Sequence, residues 1–318
     1  MKELKCLCCG KKLNDENENQ WHTKCCYNFF GTTVFPKINL SKEMLEKVVT
    51  DSVSKGFTVA GVQKKLSLHL SKEKENRLTL VGYPAGYILK PQTDEFESLP
   101  EMENLVMKMA EITGIKTVPN ALIKVNNQLA YITKRIDRIQ KGEEINLFAM
   151  EDFCQLSERP TEEKYKSSYE RCVKIIREYS SKTGLDISDF FYRLLFCFIT
   201  GNSDMHLKNF SLIENAPGSR EFELSAAYDL LPVNIAMPED KEEFALTMNG
   251  KKANLKHSDF IAFAKVAGIN ENISQKMISR ILSFKEKYLA AVKESYLSEQ
   301  LKENFIELIN ERCNKLGK

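Results

Sequence analysis

The stretch GNSDMHLKNF at residues 201–210 decides how the rest of the sequence is interpreted. It is polar, yet it follows an apolar helical pattern over residues 187–200 and leads into the apolar segment 210–213. A polar loop held between two buried elements suits side chains that must be placed accurately. We therefore expect residues with chemical roles in this loop, and Asp204 and Asn209 are the first candidates.

Asp204 and Asn209 have the D-x-x-x-x-N spacing of a kinase catalytic loop. In such loops the aspartate accepts the proton of the substrate hydroxyl and the asparagine binds Mg²⁺. Asp229 follows a later hydrophobic segment, where kinases place a second metal ligand, and hard oxygen ligands of this kind suit Mg²⁺. Aspartate and asparagine are also common in loops because they form turns. The order of the three residues, with a matching lysine upstream, favours phosphoryl transfer.

That lysine is Lys90, at the end of a predicted strand over residues 87–89. Glu103, on a predicted helix over residues 99–113, could hold it as the helix glutamate holds the strand lysine of kinases. A lone lysine at a strand end is usually only solvated. Lys90 is a candidate phosphate-binding residue only because Asp204, Asn209 and Asp229 are also present. Residues 59–65 contain a single glycine, which excludes a Walker loop, although their backbone N–H groups could still cover phosphates.

Composition limits the class of protein. The chain has 318 residues, with 46 Lys or Arg against 44 Asp or Glu, and a formal charge of +2. This near balance argues against direct nucleic-acid binding, which usually needs a strong basic excess. The longest apolar run, residues 190–200, is about half of what a membrane span requires. Residues 1–6 lead straight into polar sequence, unlike a signal peptide, so we expect a cytoplasmic protein with no membrane partner.

The sequence pattern predicts an α+β fold, with a β-rich half followed by a mostly helical half. The predicted strands are 57–70, 78–81, 87–89, 121–125 and 129–132. The predicted helices are 41–54, 99–113, 150–157, 165–179, 187–200, 256–266, 273–289 and 299–316. We assign residues 1–36 to a Cys/His segment, 37–137 to an ATP-binding lobe and 138–318 to a catalytic lobe. A cleft between two such halves is where a site is expected.

Seven motifs, in order along the chain, resemble the motif series of the HipA family. They are VAGVQKKL at 59–66, ILK at 88–90, LPEME at 99–103, KRIDR at 134–138, EDFCQ at 151–155, DMHLKNFS at 204–211 and YDL at 228–230. Members of this family are bacterial serine/threonine kinases that act as toxins in toxin–antitoxin systems. The resemblance covers roughly residues 55 to 270 and implies a bilobal, protein-kinase-like HipA-type fold.

The resemblance also implies roles for individual residues. Asp204 would be the catalytic base, Asn209 and Asp229 would bind Mg²⁺, and Lys90 would contact the phosphates of ATP. The remaining assignments are a phosphate loop of Ala60, Gly61, Val62, Gln63, Lys64 and Lys65, a hinge for adenine of Lys134, Arg135 and Ile136, and contacts to the nucleotide from His206, Lys208 and Tyr228. Lys134 replaces a glutamate common at the hinge, with little consequence expected because backbone groups hold adenine there.

Thr58 falls where family members carry a serine that autophosphorylates and ejects the ATP loop. Threonine can accept phosphate, although a β-branched residue filling a strand is the structural alternative. Family members phosphorylate aminoacyl-tRNA synthetases, so a synthetase is the first candidate for the substrate. The chain is short for the family and resembles its HipT-like form. That resemblance implies a HipS-like small protein and a HipB-like DNA-binding antitoxin as partners.

The cysteines are concentrated near the start of the chain, and residues 1–6 do not have the pattern of a signal peptide, so we expect metal binding and not disulfides. Cys6-x-x-Cys9 and His22-x-x-Cys25 have zinc-knuckle spacing around a polar linker. Such a site would be structural, because the protein fills every position. Free or redox-sensitive thiols are the alternative, and Cys8 or Cys26 could replace a neighbour. The HipA resemblance does not include this cluster.

Two other functions stay open at this point. A related kinase could act on a different protein, a lipid or a small molecule, since the same core supports several acceptors. An ATP-binding pseudokinase or zinc-dependent scaffold is the alternative without catalysis. The presence of Asp204, Asn209, Asp229 and Lys90 argues against the second, because a lapsed site usually loses one of these residues.

Overall fold

The computed structural model describes residues 4–13, 19–38, 65–71, 76–79, 86–141 and 144–318. The predicted helix 41–54, Thr58 and the phosphate-loop residues 60–64 lie outside the described residues. The chain divides into two compact units, and each is described by itself. They are Met1–Asn104 with Val118–Arg135, and Leu105–Thr117 with Ile136–Lys318.

The first unit is built on a six-stranded sheet. Its strands are β1 Lys37–Ile38, β2 Leu66–Ser71, β3 Arg77–Thr79, β4 Tyr87–Pro91, β5 Asn120–Val125 and β6 Gln128–Lys134. Their order is β1-β3-β2-β4-β6-β5; β1 pairs with β3 in parallel and the other neighbours are antiparallel. Leu66, Leu68 and Leu70 are buried while the residues between them are more exposed, the alternation of a strand with one covered face.

The N-terminal segment of the first unit packs on this sheet through helix α1, Thr23–Phe30. The indole Nε1 of Trp21 donates to the Leu122 carbonyl at 3.1 Å, and the Tyr87 hydroxyl donates to the Phe29 carbonyl at 3.2 Å. The Phe30 ring lies 5.4 Å from Trp21 and 5.4 Å from Tyr87. Aromatic packing and hydrogen bonds thus attach this segment to strands β4 and β5.

The second unit is mostly helical, as the sequence predicts. Its helices are α2 Leu99–Thr113, which begins in the first unit, α3 Phe153–Leu156, α4 Tyr169–Tyr179, α5 Thr183–Thr200, α6 Val233–Ala236, α7 His257–Val266, α8 Glu271–Leu282, α9 Lys285–Lys293 and α10 Glu299–Leu316. Its strands are β7 Arg138–Lys141, β8 Glu144–Leu147, β9 Met150–Asp152, β10 Ser211–Glu214 and β11 Phe222–Leu224. β7 and β8 form a hairpin, and β10 pairs antiparallel with β9 and β11.

Helix α5 forms the centre of the second unit's core. From Phe190 to Thr200 every residue except Tyr192 is buried, and the Phe190 ring lies 4.8 Å from that of Phe210. Helix α5 therefore ends inside the core, and the loop of residues 201–210 begins there.

Gly201 ends α5 in the left-handed conformation, with φ of 67°. The Asn202 N–H then donates to the Cys197 carbonyl at 2.9 Å, which satisfies one of the last helix carbonyls. A Cβ atom at position 201 would lie 2.5 Å from Leu308 Cδ2. Both the backbone conformation and the close packing favour glycine here.

Several predicted elements change when non-local contacts are included. Helices 99–113 and 299–316 have the predicted bounds, whereas the predicted helix 273–289 is two helices separated at Ser283 and Phe284. The predicted helix 150–157 begins instead as strand β9, which pairs with β10, and strands β7 and β8 pair with each other within the half predicted to be helical. Helix α1 is absent from the sequence prediction.

None of the helices that the structure describes is long and apolar enough to cross a membrane.

We expect Gly201→Ala to lower the free energy of unfolding by at least about 1–2 kcal/mol, since alanine is strained at positive φ. Urea unfolding followed by circular dichroism measures this change. Gly184→Ala, on the same helix with no atom within 4 Å of the added Cβ, is the matched control. It should leave stability unchanged or raise it by up to about 1 kcal/mol. Equal losses in the two variants would contradict the assignment of a special role to Gly201.

Candidate active site

The first unit carries a buried ion pair between Lys90 on β4 and Glu103 on α2. Lys90 Nζ lies 2.6 Å from Glu103 Oε1, and the two side chains are 5% and 1% exposed. The same Nζ lies 5.4 Å from the centre of the Tyr131 ring. Burying two charges is costly unless they are paired closely, so this geometry holds both side chains in a single arrangement.

The other predicted nucleotide contacts of the first unit are only partly described. Lys65 is exposed just before β2, and the residues of the predicted phosphate loop that precede it lie outside the described part of the chain. At the predicted hinge, Lys134 N–H donates to the Pro119 carbonyl and Arg135 N–H donates to the Gly86 carbonyl, both at 2.9 Å. Ile136 is the first residue of the second unit after this strand.

In the second unit, Asp204 and Asn209 belong to one hydrogen-bonded loop. The Asn209 side-chain Nδ2 donates to the Asp204 carbonyl at 2.9 Å, and the His206 N–H donates to the same carbonyl at 2.8 Å. The amide nitrogen of Asn209 is thus committed to the backbone, and its amide oxygen is the atom that could ligate a cation. The loop itself forms a 3-10 turn over Leu207–Asn209.

The Asp204 carboxylate has a separate partner. The Tyr165 hydroxyl donates to Asp204 Oδ1 at 2.6 Å. The Tyr165 ring also lies 5.0 Å from the buried His206 ring in an edge-to-face arrangement. The backbone of Asp204 and its carboxylate are therefore held by different groups.

Lys208 is directed by Asp152, the last residue of β9. Lys208 Nζ donates to Asp152 Oδ2 at 2.7 Å, while Asp152 Oδ1 accepts the Gln155 N–H at 2.8 Å. One oxygen of this carboxylate caps helix α3 and the other binds the lysine. The sequence places Asp152 in a motif, but its D-x-x-Q spacing indicates only a helix cap.

Tyr228 links the segment containing Asp229 to the loop. Its hydroxyl donates to the Lys208 carbonyl at 3.0 Å and lies 2.6 Å from Ser211 Oγ. Burial raises the pKa of Tyr228 well above its usual range, so the phenol keeps its proton and remains a donor. Asp229 itself has φ of 59°, an uncommon conformation for a residue other than glycine and one often found at functional sites.

A second network, absent from the sequence prediction, supports the start of the loop. Ser203 Oγ donates to Asp240 Oδ2 at 2.7 Å, and the Asn234 N–H donates to the Gly201 carbonyl at 3.0 Å. Arg312 on α10 donates to Asn234 Oδ1 at 3.3 Å and forms a buried ion pair with Glu243. These residues lie far apart in the sequence, so no local pattern could have indicated them.

The predicted zinc ligands Cys6, Cys9, His22 and Cys25 come together in the first unit, with their ligand atoms within 4.8 Å of one another. The His22 Nδ1 lies 3.4 Å from Cys9 Sγ and 3.8 Å from Cys25 Sγ. These separations are close to the edges, roughly 3.5–3.8 Å, of a tetrahedron with the usual Zn–S and Zn–N bond lengths. None of the nine cysteines, all of them described, forms a disulfide.

The surroundings of this cluster also suit a metal. His22 Nε2 lies 3.0 Å from the Lys12 carbonyl, which orients the ring with Nδ1 toward the sulfurs. The His22 N–H donates to Cys6 Sγ at 3.4 Å. Burial, and next the neighbouring cysteines, raise the pKa of the Cys25 thiol, so the ligand set would gain from a cation that offsets thiolate charge.

A β-rich unit with a buried strand-lysine and helix-glutamate pair, and a helical unit with an aspartate–asparagine loop, define a kinase-like class of protein. Residues 57–288 match the family described as "HipA-like C-terminal domain". This match covers well over half of the chain, and the chain therefore belongs to the HipA-like family, as the motif series predicts.

Several named relatives support a kinase. The chain is 28% identical to "Putative kinase Y4mE" and 29% identical to "Putative kinase Y4dM", both of Sinorhizobium fredii (strain NBRC 101917 / NGR234). These matches cover 75% and 68% of this chain but only 57% and 55% of the two relatives. A "Putative kinase" of Haemophilus influenzae is 25% identical, with 77% of each chain covered. The chain thus spans little more than half the length of the first two.

Solved structures show the same fold. HipA of the Shewanella oneidensis MR-1 toxin–antitoxin system, solved with HipB and its operator DNA, matches with a TM-score of 0.72 and 21% identity. That match covers 87% of this chain and 71% of the other. The Helicobacter pylori proinflammatory kinase CtkA matches with a TM-score of 0.55 and 17% identity, over 76% of this chain and 88% of its own. The predicted HipA-type α+β fold is confirmed.

We expect Lys90→Met to lower the free energy of unfolding by about 3 kcal/mol, because Glu103 is left charged and buried without its partner. Urea unfolding measures the loss. The double variant Lys90→Met/Glu103→Leu should recover most of it, since an apolar pair of similar volume needs no charge compensation.

Lys124→Met, at an exposed lysine on β5 of the same sheet, is the control and should change stability by less than about 0.5 kcal/mol. If the double variant is as unstable as Lys90→Met, the loss does not come from an uncompensated Glu103 charge.

Proposed function

We propose that the chain is an ATP- and Mg²⁺-dependent serine/threonine protein kinase. The observation that carries this proposal is the Lys90–Glu103 ion pair, buried at 2.6 Å. Such a pair adds little to stability compared with apolar packing, so its presence at a strand end favours a functional role. The hydrogen-bonded loop from Asp204 to Asn209 supports the same conclusion.

Asp204 would act as the catalytic base of this reaction. Its carboxylate would accept the proton of a serine or threonine hydroxyl as the hydroxyl oxygen attacks the terminal phosphate of ATP. The bonds from Asn209 and His206 to the Asp204 carbonyl keep the backbone of the base in place before the substrate arrives.

The other residues would neutralise charge and hold the nucleotide. Lys90 and Lys208 would offset negative charge on the phosphates, and Asp152 keeps Lys208 directed. Asn209 and Asp229 offer the hard oxygen atoms that suit Mg²⁺, and Tyr228 ties their two segments together. When bound, Mg²⁺ would supply further positive charge at the phosphates.

The remaining nucleotide contacts follow from the family motifs. His206 would face the nucleotide and residues 60–65 would cover its phosphates. Residues 134–136 would hold adenine through their carbonyl groups and the Ile136 N–H, since the Lys134 and Arg135 N–H groups already donate to Pro119 and Gly86. Thr58 would be the site of an inactivating autophosphorylation.

We further propose a role as the toxin of a toxin–antitoxin system, with an aminoacyl-tRNA synthetase as the acceptor. Membership of the HipA-like family supports this role, and the likeness to a HipA solved with HipB and DNA supports a HipB-like antitoxin. A HipS-like small protein is the second partner that we propose, on the resemblance of the motifs to HipT-like members of the family. DNA contact would belong to the antitoxin, consistent with a formal charge of +2 on this chain.

The Cys/His cluster would bind a structural Zn²⁺ through Cys6, Cys9, His22 and Cys25. The donor set, the separations from His22 Nδ1 and the contact from His22 Nε2 to Lys12 support this site. The metal would stabilise the N-terminal segment, which packs on β4 through the Phe29–Tyr87 contacts.

The Asp204→Asn variant should lose at least about a hundredfold in kcat, because the amide cannot accept the proton of the acceptor hydroxyl. Transfer of radiolabelled phosphate from ATP to a panel of purified aminoacyl-tRNA synthetases measures the effect. Asp189→Asn removes a carboxylate from helix α5 outside the loop, and it should leave kcat unchanged.

Labelling of another protein but of no synthetase would remove the synthetase proposal and leave the kinase. Equal activity in Asp204→Asn and the unchanged chain would remove Asp204 as the base. ATP binding without transfer to any acceptor would favour a pseudokinase.

Purified protein should contain stoichiometric zinc by elemental analysis. Cys25→Ser should lower zinc affinity by at least about tenfold. Loss of a residue that only hydrogen-bonds a metal ligand already costs that much, and Cys25 is itself a proposed ligand. Cys8→Ser changes a neighbouring cysteine outside the ligand set and should keep the metal. Protein purified without chelators that contains no zinc would contradict the proposal.

A further inference from the structure

Tyr165 makes a short hydrogen bond to the proposed catalytic base. Its hydroxyl donates to Asp204 Oδ1 at 2.6 Å, although the two residues are 39 positions apart. Tyr165 lies outside the motif series, between a 3-10 turn at Thr161–Glu163 and helix α4. A short hydrogen bond to a carboxylate is among the stronger side-chain contacts, so this one constrains Asp204.

The phenol of Tyr165 is itself fixed by the loop that it contacts. Its ring packs edge-to-face on the His206 ring at 5.0 Å, and Lys164 Nζ lies 4.9 Å from the ring centre. The Leu207 N–H donates to the Lys164 carbonyl at 3.2 Å, which joins the backbone before Tyr165 to the loop after Asp204. Tyr165 is therefore a rigid donor.

The Asp204 carboxylate needs such a donor. The bonds from Asn209 and His206 go to the carbonyl of Asp204 and hold only its main chain. The terminal torsion of an aspartate is broad, so a fixed main chain does not by itself set the direction of the carboxylate oxygens. The hydrogen bond from Tyr165 to Oδ1 sets this direction. An ionised carboxylate offers about four lone-pair sites, so it can accept from Tyr165 and from a substrate hydroxyl together.

We propose that Tyr165 is a positioning residue, whose hydroxyl orients the Asp204 carboxylate to receive the proton of the substrate hydroxyl. This inference rests on the proposed function, since it takes Asp204 as the base. In this role Tyr165 acts on the reaction through Asp204, and we assign it no contact with the nucleotide or the transferred phosphate. Its removal therefore changes the chemical step and leaves nucleotide binding intact.

The test is the Tyr165→Phe variant of the full chain, which removes only the hydroxyl. We expect kcat to fall by roughly ten- to a hundredfold, the cost of a misplaced catalytic group, with the KM for ATP unchanged. Tyr192→Phe is the matched control, because it removes a tyrosine hydroxyl on α5 that has no hydrogen-bond partner among the described atoms. It should keep the unchanged chain's kcat.

A double-mutant cycle separates positioning from general support of the fold. If Tyr165 acts through Asp204, adding Tyr165→Phe to Asp204→Asn should not lower the residual rate further. A merely structural role would lower the rate by the same factor in both backgrounds, and that result would overturn the inference. So would an unchanged kcat in Tyr165→Phe, or phosphate found on Tyr165 by mass spectrometry after incubation with Mg²⁺ and ATP.

A measurement without turnover keeps the inference distinct from the proposed function. In protein labelled with carbon-13 at tyrosine Cζ, the Tyr165 resonance is assigned by its loss in Tyr165→Phe. Asp204→Ala should shift this resonance and leave that of Tyr192 in place. If no acceptor is ever phosphorylated, the proposed function fails while the shift still reports the contact. An unshifted Tyr165 resonance overturns the inference even in an active kinase.

Discussion

The second unit depends on how the buried second half of helix α5 ends inside the core. From Phe190 to Thr200 helix α5 is buried except at Tyr192, and the chain must then turn at once into a polar loop in which Asp204 and Lys208 are partly exposed. Gly201 allows the turn because it adopts positive φ and has no Cβ to meet Leu308. The Asn234 N–H binds the Gly201 carbonyl, and Arg312 binds the Asn234 side chain, so α10 supports the same turn. The position of Asp204 follows from this constraint, since it lies one short turn further along.

In the first unit one sheet carries Lys90 of the buried charge pair and also supports the N-terminal segment that contains the Cys/His cluster. Strand β4 carries Tyr87 at one end and Lys90 near the other, and Tyr87 bonds to Phe29 on helix α1. A metal at Cys6, Cys9, His22 and Cys25 would order the segment from which α1 begins. Metal binding is coupled to folding in small sites of this kind. The proposed zinc would therefore reinforce the strand that presents Lys90, although it lies outside the chemistry.

Local patterns predicted the features that depend on near neighbours. Helices α2 and α10, the position of Glu103 and the clustering of Cys6, Cys9, His22 and Cys25 follow from periodicity and spacing. The prediction of a single helix over residues 273–289 was wrong. Ile278 and Tyr288 are both buried, so the apolar period continues across the break at Ser283 and hides it. Strand β9 and the Tyr165–Asp204 contact depend on residues far away in the sequence, which a single sequence does not reveal. The roles of the individual site residues stay predictions.

The proposed active groups share one physical property, which is that each is held by a partner before any substrate binds. Glu103 holds Lys90, Asp152 holds Lys208 and Tyr165 holds Asp204. Fixed dipoles and charges stabilise a transition state well because they need no reorganisation during the reaction. The partners differ in charge: each of the two lysines faces a carboxylate, whereas Asp204 accepts a hydrogen bond from the hydroxyl of Tyr165. A cationic partner would lower the basicity of the Asp204 carboxylate. A neutral hydrogen-bond donor orients the same carboxylate with a smaller loss of basicity.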